Sequence, residues 1–179
     1  MKTVITLFFS VICHLATAQH QEITTEKGQK FLVGPVTLEN LQKEPYESWF
    51  RTNYSSYEVD SNISSILQTK MQGHQLKLFL GTWCGDSKRE VPRMIKLLEK
   101  AKFPMEQLEL ITLDKRGDRY KKSPGGEEKG WNIIKIPTLI VLKDGKEINR
   151  IVESPVDSLE EDLLSIFTGQ DYIPHYSSN

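Results

Sequence analysis

The chain has 179 residues, a formal net charge of -1, 38% hydrophobic and 26% charged residues. That length holds one ordinary domain with a real core. The charge balance leaves neither a basic stripe for nucleic acid nor an acidic block for a solvating tail.

Residues 1–18 read as an export leader. Met1-Lys2 is a short basic start, and residues 3–15 are mostly apolar. That run matches a signal h-region and is too short for a membrane helix. Ala16-Thr17-Ala18 supplies the small-x-small cleavage pattern, so cleavage is expected before Gln19. The expected product is periplasmic or secreted, with no stable membrane anchor. Ile12 before Cys13 does not suit a lipoprotein. Cys13 leaves with the leader, so Cys84 becomes a single thiol in an oxidising compartment.

Residues 19–59 read as an N-terminal extension. A polar lead-in carries one apolar piece, Phe31-Leu32-Val33, and Gly34-Pro35 breaks it. Thr37 suits a helix N-cap, with Asn40 in the capping-box position. Leu38, Leu41, Trp49 and Phe50 could share a helical face interrupted by Pro45. With Tyr54 and Tyr57, these aromatics read as packing on the core.

From residue 60 the periodicities are clearer. Residues 60–72 predict a helix, capped by Asp60 or Ser61 and ended by Gly73, with Ile63, Ile66, Leu67 and Met71 at helical spacing. Leu76, Leu78 and Leu80 alternate along a strand. Residues 86–102 predict a helix buried through Val91, Met94, Ile95, Leu97 and Leu98, with Pro92 inside it. A strand follows over 108–113, then a polar loop over 115–130. Asp144-Gly145 predicts a hairpin turn between strands 139–142 and 147–152. Ser154-Pro155 opens the last helix, and the short tail after Gly169 reads as loosely held. A βαβ unit feeding an antiparallel ββα unit makes a mixed sheet with helices on both faces.

The chemistry concentrates at residues 78–94, where an apolar strand ends in Gly81-Thr82-Trp83 and Cys84 follows at once. A thiol between a strand and a helix start meets free backbone N–H groups and the positive end of the helix dipole. Both favour the thiolate, which is the nucleophilic form. The Ser87 hydroxyl, one turn on, could donate a hydrogen bond to that sulfur, and Lys88 and Arg89 add positive charge against Asp86.

This order, with Trp83-Cys84 at the strand-to-helix junction and Ile136-Pro137-Thr138 before the hairpin, resembles the thioredoxin superfamily over about residues 60–167. The resemblance implies an α/β thioredoxin-like fold, a central mixed sheet flanked by helices. Residues 60–168 would be the domain and 169–179 a tail. It implies that Cys84 attacks and that Pro137 is cis and lies against it, presenting the Ile136 backbone to an incoming peptide. Trp83, Gly85 and Asp86 would complete the substrate-binding surface. No cofactor is implied.

Three departures shape the expected chemistry. Ser87 stands where thioredoxins carry the resolving cysteine, so Cys84 can attack but cannot release itself, and an external thiol reductant must finish the cycle. Leu78 and Leu110 replace a buried acid and a lysine. No glycine follows the hairpin near Glu153-Ser154. The expected partners are protein or small-molecule thiols and disulfides. A catalytic exchange enzyme, a module that captures client thiols, and a redox-inactive scaffold all remain open.

Cys84-Gly85-Asp86-Ser87 differs at one place from the Cys-Gly-Phe-Ser of monothiol glutaredoxins, but Gly125-Gly126 precedes the proline instead of following it. His20, His74 and His175 have no ligand-spaced partners, so no metal site is expected. Asn53 and Asn62 begin glycosylation sequons, which matter only on a eukaryotic secretory route.

Overall fold

The computed structural model describes residues 20–177. The expected leader, its cleavage site and Cys13 lie outside the described residues. Six strands form one sheet in the order β1-β2-β4-β3-β5-β6. They are β1 (Gln21–Thr24), β2 (Lys30–Val36), β3 (His74–Leu80), β4 (Leu108–Thr112), β5 (Thr138–Lys143) and β6 (Lys146–Val152). Five helices accompany them: α1 (Leu38–Leu41), α2 (Glu47–Ser56), α3 (Ser61–Lys70), α4 (Gly85–Lys100) and α5 (Leu159–Thr168).

β3 and β4 pair in parallel across the α4 crossover, whereas β3–β5 and β5–β6 are antiparallel. The alternation of β3 sorts two cores, as a period of two requires. Leu76, Leu78 and Leu80 face a large cluster containing Phe50, Leu67, Met94 and Leu163 from α2, α3, α4 and α5. Phe79 faces the other way, onto Ile111, Leu113, Ile136 and Ile140.

The mixed, helix-flanked sheet agrees with the sequence pattern, but every helix packs its buried residues on one face. The opposite face is covered by Trp83, Cys84, Trp131 and Ile133 from loop segments. Residues 115–130 carry no apolar stripe that could make a helix there. Their only regular element is a 3-10 turn, Gly117–Arg119.

The N-terminal lead-in differs most from its sequence reading. It is a hairpin, β1 against β2, and β2 then passes to β4 at Gly34. Gly34 takes φ of +97° at that change of partner, a conformation open to glycine. Pro35 falls beyond the end of β1, where its missing N–H leaves no ladder bond to β1 unmade.

The last helix also starts later than Ser154-Pro155 suggests. Ser158 is its N-cap, accepting the Glu161 N–H at 3.1 Å. Buried Asp162 accepts the N–H groups of Val156 and Asp157 and so holds the preceding turn outside the helix. The tail is pinned too. Tyr172 donates its hydroxyl to Asp162 at 2.7 Å, and its carbonyl accepts from Asn149. On α3, Ile66 points outward, 47% exposed, despite its helical spacing.

Candidate functional site

β3 delivers the chain to Gly81, and a turn closed by the Cys84 N–H to the Gly81 carbonyl (2.9 Å) redirects it into α4. Cys84 is the N-cap of that helix, with extended backbone, and its carbonyl accepts the Lys88 N–H at 3.0 Å. Its half-buried sulfur is the only thiol among the described residues. The Sγ–H points at the Ile136 carbonyl, 3.5 Å away. The Ile136–Pro137 peptide is cis. On its far side the Pro137 carbonyl accepts the Glu153 N–H at 2.7 Å, with Glu153 at φ of +66°. Glutamate thus occupies a left-handed position that glycine would adopt freely.

Trp83 flanks the sulfur. Its indole N–H donates to the Leu113 carbonyl at 2.8 Å, and its ring lies 5.7 Å from that of Tyr120. The turn is tight beneath it. A Cβ on Gly81 would meet Ile136 Cδ1 at 2.8 Å and the Trp83 ring at 2.9 Å. At Gly85 the space is open.

Ser87 is fully buried and does not bond to Cys84. Its hydroxyl accepts the Gly81 N–H at 3.1 Å. The expected hydrogen bond from Ser87 to the thiolate is therefore replaced by a brace across the strand-to-helix turn. Asp86 also turns from the sulfur, pairing with Arg89 at 2.9 Å. Arg89 further bonds buried Glu90 at 2.6 Å, which holds its guanidinium above the ordinary arginine value. Of the two cations expected beside the thiol, only Lys88 lacks a carboxylate partner among the described residues. Leu78 and Leu110, standing in for an acid and a lysine, are buried and face each other in register across β3 and β4.

The structure thus brings Trp83, Cys84, Ile136 and Pro137 together, with Gly85 and Asp86 on the rim and Ser87 beneath. Sequence reasoning missed Thr82, Tyr120, Lys121 and Glu153. Thr82 accepts the Leu32 N–H at 3.0 Å, stitching β2 to the turn. Lys121 donates to the Ile134 carbonyl. Burial holds its ammonium below the ordinary lysine value and Lys135 adds to this, while Glu153 and the Cys84 sulfur oppose it. Only the single aromatic Tyr120 in a polar loop hinted that this segment reaches the site.

No family model matches the chain. Thioredoxin of Staphylococcus aureus is 32% identical over 108 residues, covering 59% of this chain and 88% of that protein. The thiol-disulfide oxidoreductase ResA of Bacillus thuringiensis is 28% identical over 148 residues, 68% of this chain and 85% of its own. The H-type thioredoxin of Picea mariana is 27% identical over 88 residues, and the match spans 62% of its length. An alignment at 32% identity over nearly the whole of a thioredoxin, on a sheet that sets Cys84 against Ile136 and Pro137, makes this chain a member of the thioredoxin-like superfamily.

Proposed function

We propose that the protein is an exported thiol-disulfide exchange protein that works with one cysteine. The observation that carries this is the half-buried Cys84 sulfur at the start of α4, 3.5 Å from the Ile136 carbonyl. A relative named as a thiol-disulfide oxidoreductase supports the reaction class. The Cys84 thiolate attacks one sulfur of a disulfide. A Cys84–substrate disulfide forms, the original S–S bond breaks, and the second sulfur leaves as a thiolate with the bonding electron pair. An external thiolate then attacks the substrate sulfur of the mixed disulfide: a new disulfide forms between the two, the Cys84–S bond breaks, and Cys84 leaves as the thiolate with the electron pair. The partners are thiols and disulfides of proteins or small molecules. Residues 1–18 act as the leader, and the site of action is the periplasm or the exterior.

The test is turnover of a cysteine-capped peptide disulfide with glutathione as the external thiol, followed by mass. Release of the cap, lost in Cys84→Ser, is the expected result. Full activity in Cys84→Ser overturns the proposal. An adduct that glutathione fails to discharge assigns client capture instead, and no adduct at all assigns a redox-inactive scaffold. Intact mass of the exported protein checks cleavage before Gln19.

A further inference from the structure

A cleft of about 350 Å³ opens beside Trp83, between the β1–β2 hairpin, the start of α2 and the first turn of α4. Its walls include Trp49, Trp83, Lys30, Lys88 and Lys115. Among the described residues no carboxylate lines it. Lys30 is paired with Glu22 at 2.7 Å, so its charge is met. Among the described residues Lys115 has only the neutral Gln29 amide oxygen as a partner, at 3.0 Å, and lies 5.2 Å from the centre of the Phe31 ring. Lys88 has no carboxylate within salt-bridge reach among the described residues. Two unmet cations therefore share a cleft with two indoles, and one of them, Lys88, stands one helical turn from Cys84 in α4. The volume lies at the lower end of the small-molecule range. Nothing in the thiol chemistry itself requires this cleft, and most of its walls come from the chain before residue 60.

We propose that this cleft is a subsite for the carboxylate of a small disulfide whose sulfur reacts at Cys84, with Lys88 and Lys115 meeting the charge and Trp49 and Trp83 flanking the organic part. The assignment rests on Cys84 being the nucleophile. The substrate's S–S bond breaks as the Cys84–S bond forms, and the departing thiolate takes the electron pair. The carboxylate only orients the molecule and takes no part in the bond exchange.

The test uses two disulfides of opposite character, the dianion dithiobis-nitrobenzoate and neutral dipyridyl disulfide. Their rates with Cys84 are compared as a ratio, dianion over neutral, so general changes in the thiol cancel. Lys88→Gln and Lys115→Gln are each expected to lower the ratio about 3-fold, and the double variant about 10-fold. Lys143→Gln, an exposed lysine at the far end of β5, is expected to leave it unchanged. A ratio that survives both cleft variants while the neutral disulfide still reacts overturns the subsite and leaves the exchange reading intact. If the folded protein reacts with neither disulfide faster than the urea-unfolded chain does, the exchange reading fails and the subsite with it.

Discussion

Ser87 braces the turn that presents Cys84. Its hydroxyl is the partner of the buried Gly81 N–H. Ser87→Ala leaves that donor unsatisfied, which costs about 1–3 kcal/mol. Denaturant unfolding should therefore register Ser87→Ala as a loss of stability. The two glycines of the turn make opposite forecasts. Gly81→Ala drives a methyl into Ile136 and the Trp83 ring, at a cost of about 1–3 kcal/mol in a packed site. Gly85→Ala meets nothing and stays within about 0.5 kcal/mol. Melting curves of the pair separate a glycine needed for close approach from one that merely begins a helix. A shifted Trp83 emission should accompany the first only.

The loop after β4 is held by polar clasps where a helix would have used an apolar stripe. Asp114 takes a bidentate hold on Arg116, with contacts of 2.6 and 3.0 Å to its two oxygens, and accepts the Arg116 N–H at 2.8 Å. Ser123 bonds Glu128 at 2.7 Å and also Glu127. Burial alone would raise the Asp114 carboxyl, but the Arg116 bonds outweigh it and hold it below the ordinary aspartate value. A carboxyl depressed in the fold contributes stability above its unfolded pKa, about 3.8. That contribution is lost as pH falls through the depressed value. Protection factors around Tyr120, taken relative to the intrinsic exchange rate at each pH, should fall as pH drops below about 4, and Asp114→Asn should lower them at neutral pH too. Protection factors that stay constant through this acid range would count against the clasp. These clasps also explain what could be read in advance. β3, α4 and the strands of the β5–β6 hairpin announce themselves by period, and Asp144-Gly145 announces the turn by residue type, both taking positive φ there. A serine pointing inward instead of toward the sulfur, or Lys121 reaching the Ile134 carbonyl, depends on side chains from separate elements. No local pattern encodes them.

At the scale of the molecule, the segment before residue 60 is built into the sheet and core. Leu32 donates to Thr82, Thr112 donates to the Gly34 carbonyl, and Tyr57 donates to Glu160. Leu41, Tyr46 and Phe50 are buried. A chain starting at Asp60 is expected to lose cooperative unfolding, because β4 becomes an exposed edge and Thr82 loses its partner. A sharp thermal transition in that fragment would overturn the expectation. The distance along the chain between Cys84 and the carbonyl it faces has a consequence for biogenesis. The two residues are 52 positions apart, with a loop and a sheet strand to be set between them. A ribosome therefore releases an ordinary thiol first and its opposing wall only later. Until residue 137 has emerged and β5 has joined β3, the cysteine has no shaped surroundings to select a partner. Synthesis and folding act in this way as a timer on the sulfur.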